Sequence, residues 1–282
     1  MSPVTRPRVA VVGHVEWLTH GRGSMARPGE ITYLTEPFDE PAGGGGVSAS
    51  QVPKLGAECL FFTALGADHS GDQAIARLEA EGVTVLATRR PEPQTRAVSA
   101  TDTEGDRAIT VIGGSISARI EDPLPWDDLA GCDAAFFTGH DSATVAAARR
   151  AGVLVITSRR LRQLVESGVR ADVLIASDSD PAEAVDPDAL PVPPGVILWT
   201  EGSRGGRYVT ADGATGRWDP APLPAPAVDS YGCGDSFAAG LTVGLARGLD
   251  LDGALALGAR CGAVCLTGRG ALEPQLVEFP AP

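Results

Sequence analysis

Apolar positions along the chain follow two rhythms. Residues 8–14, Arg-Val-Ala-Val-Val-Gly-His, form a nearly unbroken apolar run closed by a glycine, the pattern of a buried strand. Residues 59–63 repeat it, and 83–85 add a shorter strand. Between these two, residues 70–81 set Ala74, Ile75 and Leu78 on one side at helical spacing. Residues 47–55 predict another helix, led in by four glycines at 43–46, with Pro53 near its end. From residue 133 onward the rhythms alternate. Strands at 134–137, 153–157, 173–176 and 196–200 are separated by helices at 143–150, 161–167 and near 181–185. A strand at 208–210 follows, and helices over 233–247 and 251–265 end the core. Repeated βα units of this kind build a mostly parallel sheet with helices on both faces.

Two stretches break the pattern. Residues 17–40 are polar and punctuated by Gly and Pro, while 95–101 and 107–112 alternate apolar and polar around Glu104-Gly105-Asp106. The second is a half-exposed hairpin signal. Neither fits inside a parallel sheet, so together they predict a small β lid, of the kind that excludes water from a reaction. The Pro-rich residues 220–226 read as a stiff linker and not a boundary. The expectation is one domain over 1–282, with lid segments at about 17–40 and 95–112.

Composition narrows the function. The 282 residues are 43% hydrophobic and 21% charged, ordinary for a globular protein, with a net charge of −13. No basic stripe is visible, which argues against nucleic acid as a partner. No apolar run spans a bilayer, and no basic segment followed by an apolar core predicts a secretory leader. Cys59, Cys132, Cys233, Cys261 and Cys265 are scattered, without a Cys-x-x-Cys pair. They read as small buried hydrophobes in a reducing cytoplasm, with neither disulfide nor zinc.

The sharpest chemical signal is Asp229-Ser230-Tyr231-Gly232-Cys233-Gly234-Asp235, which runs into a helical stretch. A small-residue turn opening a helix leaves backbone N–H groups unpaired, and the helix dipole favours negative charge there. Asp235, on the first turn, stands ready to accept a proton. An anion hole beside a base suits phosphoryl transfer to a hydroxyl.

This stretch resembles the second signature of the PfkB (ribokinase-like) family of sugar and nucleoside kinases, Asp-Thr-x-Gly-Ala-Gly-Asp, with Ser230 and Cys233 as mild replacements. The resemblance implies that Asp235 activates the acceptor hydroxyl and that the amides of Gly232, Cys233 and Gly234 cradle the phosphate. The glycines at 43–46 resemble the first signature, Gly-Gly-x-x-x-Asn-x-Ala. Gly43 and Gly44 would let a sugar approach the backbone, while Ser48 stands at the Asn position with fewer donors. The run Phe61-Phe62-Thr63-Ala64-Leu65-Gly66-Ala67-Asp68-His69-Ser70-Gly71-Asp72 is similar to the continuation of that signature.

Further positions follow from the same resemblance. Where relatives carry Asn and Asp after the first strand, this chain has Glu16 and Leu18; Glu16 can accept from sugar hydroxyls and Leu18 cannot. Trp17 suits either stacking on a substrate or lid packing. His140 or Asp141, at a strand end, stands where some relatives use an acid on the sugar, although Asp141 equally fits a helix cap. Asp180 and Glu183 look like the family's Asn-x-x-Glu motif and imply a Mg²⁺ site near the phosphates, although a capping box has the same spacing. Thr200, Gly202 and Gly205 resemble the Thr-x-Gly-x-x-Gly loop that receives the nucleotide, with Asp229 beside it. A monovalent cation such as K⁺, near Asp229 and the loop at 268–271, is implied by the family only. Arg107 and Arg96, on the lid hairpin, are candidates to meet a phosphate or its charge.

The resemblance implies a ribokinase-like fold, a central mostly parallel sheet in a three-layer α/β/α arrangement with a β lid. It implies ATP-dependent phosphorylation of a sugar or nucleoside hydroxyl. A catalytically silent sugar- or nucleoside-binding protein is the rival, kept open by Leu18, Ser48 and Asp180 and opposed by an intact Asp235. A kinase of vitamin-like hydroxymethyl groups is opposed by the lid segments. The chain has no Gly-x-x-x-x-Gly-Lys-Ser/Thr, so it is not a P-loop kinase, and no dinucleotide fingerprint follows the first strand. An exposed lid edge would also suit pairing with a second lid in a homodimer.

Overall fold

The computed structural model describes residues 6–102 and 107–278; the expected turn Glu104-Gly105-Asp106 lies outside them. In chain order the first half comprises β1 (Arg8–Val12), β2 (Glu16–Arg22), β3 (Thr35–Ala42), α1 (Gly43–Lys54), β4 (Glu58–Gly66), α2 (His69–Ala80), β5 (Thr84–Arg90), β6 (Arg96–Thr101) and β7 (Arg107–Ile112). The second half comprises β8 (Ala134–Phe137), α3 (Ser142–Ala148), β9 (Val153–Thr157), α4 (Leu161–Ser167), β10 (Val173–Ser177), β11 (Val196–Thr200), β12 (Gly206–Thr210), β13 (Thr215–Trp218), α5 (Cys233–Ala246) and α6 (Leu251–Cys265).

The large sheet has the order β13-β12-β11-β10-β9-β8-β1-β4-β5. It is parallel from β11 to β5, and β12 and β13 extend it as an antiparallel edge. Side-chain alternation divides the core. Val9, Val11 and Phe61 face one way and pack on Ala49 and Val52 of α1, Leu78 of α2, and Phe237 and Leu241 of α5. Ala10, Val12, Leu60 and Phe62 face the other way and pack on Val145 and Ala148 of α3 and Leu164 of α4. Phe61, Phe62, Phe136 and Phe137 are fully buried, each burial contributing about 2–3 kcal/mol. The predicted three-layer architecture is therefore present. Among the described residues no helix is long and apolar enough to cross a membrane.

The two stretches that broke the pattern form a second sheet, in the order β3-β2-β6-β7. The outer pairs are antiparallel, and the central β2–β6 pair is parallel. Leu18 and Ala97, on the inner face, pack with Tyr231, Cys265, Ala271 and Leu272. The lid thus rests on the motif loop, and the position where relatives use an acidic side chain serves this apolar contact. Trp17 also packs against the main core, so its ring is lid packing.

Three expectations change in detail. The glycines at 43–46 lie within the first turn of α1 and not in a loop ahead of it. Strand β5 runs to Arg90, well beyond the predicted 83–85. β13 was not predicted, because Thr-Gly-Arg-Trp carries no alternation and forms a strand only by pairing with β12.

Candidate active site

The C-terminal ends of β1 and β8, the start of α1 and the start of α5 converge on Asp235. Gly232 caps α5 with φ 76°, a conformation that excludes most side chains, and an added Cβ would stand 2.4 Å from Ala271 Cβ. The first helical bond runs from Ser236 N–H to Gly232 O at 2.8 Å. The amides of Gly232, Gly234 and Asp235 have no partner among the described residues, and that of Cys233 reaches Ser230 O only at 3.5 Å. A cluster of free donors therefore sits at the positive end of a 14-residue helix.

Asp235 projects beside these donors. Its carboxyl is pushed up to about 6, first by burial and then by Glu183; Arg159 and Arg107 pull it back down. A Cβ on Gly44 would lie 2.9 Å from Thr138 Oγ1 and 3.1 Å from Asp235 Oδ1, so glycine here leaves open the space between Asp235 and the end of β8. Gly43 donates its N–H to the Tyr231 hydroxyl at 3.2 Å, and an added Cβ there would crowd His14 and Glu16. Arg107 lies over the Tyr231 ring, 5.3 Å from its centre, so the lid hairpin brings a cation to the motif loop.

Gly43, Gly44, Glu16, Arg107, Asp235 and the 232–234 turn thus come together. Three expected residues are already engaged. Ser48 is fully buried and donates to the Asp235 backbone carbonyl at 3.0 Å, holding α1 to α5 where a substrate contact was expected. Asp141 caps α3, accepting from Ala143 N–H at 3.2 Å and Ile120 N–H at 2.9 Å, which commits both carboxylate oxygens to backbone. Asp180 accepts from Ala182 N–H at 2.9 Å, and its other oxygen meets Arg159. Capping is the cheaper use of an acid at a helix start, and the sequence pattern cannot separate it from ligand binding.

Glu183 pairs with the same arginine, its Oε1 2.8 Å from Arg159 Nε. A guanidinium thus stands where the sequence implied a metal, and the carboxylate pair fits positive charge. Among the described residues no cluster of three or more metal-binding side chains occurs. Asp229 accepts from Tyr231 N–H at 3.0 Å and Gly270 N–H at 3.4 Å, with His20 Nδ1 4.0 Å from Oδ2. The carboxylate thus ties the motif loop to the loop at 268–271, where the resemblance implied a monovalent cation.

Thr200, Gly202 and Gly205 lie on the turn between β11 and β12. Thr200 Oγ1 donates to Ala176 O at 3.3 Å, Gly202 is exposed, and a Cβ on Gly205 would collide with Trp218 O at 2.1 Å. Glu201 staples this turn to Arg207 and Arg217, whose hydrogen bonds hold its carboxyl well below the usual range.

Sequence reasoning missed four residues at the site. Thr138 flanks Gly44 and Asp235, and its carbonyl accepts from Arg160 Nε at 2.9 Å and lies 3.2 Å from His14 Nδ1. Tyr231 anchors Gly43, and Arg159 bridges the two acids. Arg160 closes the 3-10 turn Ser158–Arg160 just beyond the C-terminal end of β9, where ligand-facing residues of parallel sheets lie; that rule was the one signal available for it.

The chain matches the model of the "pfkB family carbohydrate kinase" over residues 7–277. It is 28% identical over 292 residues to the "ATP-dependent ribose-1-phosphate kinase" of Halopiger xanaduensis, covering 97% of each chain. It is 24% identical over 273 residues to the ribokinase of Bacillus subtilis, covering 87% of each. The structure of Arabidopsis thaliana ribokinase complexed with ribose and ATP superposes with a TM-score of 0.76 at 19% identity, covering 98% of this chain and 100% of that one. With a match over nearly its whole length, the chain belongs to the pfkB family of carbohydrate kinases.

Proposed function

We propose that the protein transfers the γ-phosphate of ATP to a hydroxyl of a sugar or related small molecule. The observation that carries this reading is the placement of an elevated-pKa carboxylate and a group of unpartnered amides on one helix turn. Asp235 takes the proton of the acceptor hydroxyl. The freed oxygen bonds to the γ-phosphorus as the bond to the bridging oxygen breaks, and ADP leaves with its electron pair. Amides 232–234 and the dipole of α5 meet the charge on the transferring group. Arg107 adds positive charge from the lid. Glu16, Gly43 and Gly44 line the acceptor side, and Thr200, Gly202 and Gly205 the nucleotide side. Mg²⁺, when bound with the nucleotide, neutralises phosphate charge; Glu183 and Asp180, now paired with Arg159, are the residues that would hold it, largely through water. The relatives' names favour ATP as donor and a pentose or its phosphate as acceptor.

The test is ADP release from ATP and Mg²⁺ across sugars, sugar phosphates, sugar acids and nucleosides. Acceptor-dependent turnover is expected, falling by about 10²–10⁴ in Asp235→Asn, the range of general-base catalysis. Tight binding of one acceptor without turnover by the wild type would instead make the protein a binding module.

A further inference from the structure

Arg159 and Arg160 are chain neighbours with opposite circumstances. Arg159 meets both Asp180 and Glu183. Arg160 has its Nε fixed to the Thr138 carbonyl at 2.9 Å, and its two terminal nitrogens make no hydrogen bond or ion pair among the described residues. The side chain is only partly exposed; burial and then the neighbouring Arg159 lower its pKa to about 10, and Glu16 pulls it back up without a direct ion pair. An unpaired, partly desolvated charge is costly, and a planar guanidinium with two free N–H edges matches carboxylate or phosphate oxygens.

Its surroundings repeat the theme. His14 and His140 meet edge to face, 5.1 Å apart, and both are held neutral, at about 3 and about 4, by burial and by Arg160 itself. With Thr138 O accepting from His14 Nδ1–H, Nε2 is left as an acceptor, and it lies 3.9 Å from Glu16 Oε1. Two acceptors with no donor between them suit a ligand hydroxyl that donates. Thr138 links the ends of this pocket, since its carbonyl holds Arg160 and His14 while its side chain flanks Gly44, whose other neighbour is Asp235.

We infer that the acceptor is a polyhydroxylated molecule bearing an anionic group, phosphate or carboxylate, which Arg160 receives at the end of the pocket away from Asp235. The hydroxyls between are read by His14 and Glu16. This rests on reading the ends of β1 and β8, beside the starts of α1 and α5, as the acceptor site, and it makes Arg160 a specificity-determining residue for that site.

The test measures calorimetric binding and ADP release with matched pentoses: a neutral sugar, its phosphate and its aldonic acid. Wild type is expected to prefer an anionic member by on the order of 100-fold, and Arg160→Gln to bring the ratio of anionic to neutral affinity to within about threefold of one. The phosphate and acid arms tell which anion is used. Arg160→Lys, keeping the charge without the fork, should recover part of the loss, and thermal melts of both variants check folding. Anionic binding that depends on Arg160 without turnover would support this inference while failing the kinase reading. Turnover of neutral sugars alone, or an equal loss on neutral and anionic sugars in Arg160→Gln, would overturn the inference and leave the kinase standing. Absence of binding by every anionic sugar would also overturn it.

Discussion

At the scale of single residues, Asp235, as the proposed base, links reactivity to stability. A base must be ionised to act, so with its carboxyl at about 6, kcat/KM should rise with pH through that value and level off above it. Glu183→Gln removes the neighbouring negative charge and should move the rise to lower pH. Arg107→Ala removes a positive one and should move it higher. A pH–rate profile of the three proteins checks both directions. The same shift affects folding. A carboxyl raised from 3.8 to about 6 favours the folded state below 3.8 and loses that contribution as pH climbs through 6. Asp235→Asn removes the loss. It should therefore be more stable than wild type at pH 8, by up to about 3 kcal/mol, and should show no such gain near pH 4. Thermal melts at the two pH values read this directly.

At the scale of elements, the start of α5 depends on one backbone conformation. Gly232→Ala would put a Cβ at positive φ and 2.4 Å from Ala271 Cβ, at a cost of about 2–4 kcal/mol. Denaturant unfolding should show the loss, and activity should fall further than stability because the amides lose their aim. This element was legible in the sequence, since a glycine-rich turn before an apolar helical run states its own geometry. The parallel strands were equally legible, because burial on both faces leaves continuous apolar runs such as 59–63. β13 was not, since its residues take their conformation from a partner strand. At the site, Asp235 and its turn were legible because their chemistry is local. For Asp141 and Asp180 the sequence left capping and ligand contact open together, because both ask for the same residue types at the same spacing; Ser48 is taken up by a bond across to α5 that spacing does not show. Thr138 acts through contacts to the starts of α1 and α5, and Arg160 through a bond to the end of the neighbouring β8, which periodicity does not register.

At the scale of the whole molecule, the lid is clasped to the loops behind the start of α5. Glu40 of β3, buried, accepts from Ala271 N–H at 2.7 Å, Leu272 N–H at 3.3 Å and His20 Nε2–H at 2.9 Å. His20 Nδ1, also buried, makes no hydrogen bond among the described residues, with Asp229 Oδ2 4.0 Å away. Beside it a cavity of about 20 Å³ is lined by Phe38, Asp229 and Arg269. Glu40→Ala would strand the two amides, cost about 2–4 kcal/mol and loosen the lid. Hydrogen exchange should accelerate in β2 and β3, and ATP hydrolysis without acceptor should rise as water enters. On the lid's far edge every residue of β7 is exposed, Ile109, Val111 and Ile112 by 43–52%. We propose that this edge pairs with a second copy; light scattering should give a dimer for the wild type and a monomer for Ile109→Lys/Val111→Lys.

The parallel pairing of β2 with β6 also dictates an order of assembly. Trp17 meets Arg96 in that register, and α1, β4, α2 and β5 all lie between them along the chain. The lid can close only after three adjacent strands of the large sheet, β1, β4 and β5, have gathered those intervening residues, because a long loop must be shortened before its ends repay the entropy of meeting. Refolding should therefore be stepwise. Protection should appear first in the large sheet and last in β2, β3, β6 and β7, so the chain acquires its nucleus before it acquires the surface that makes it an enzyme.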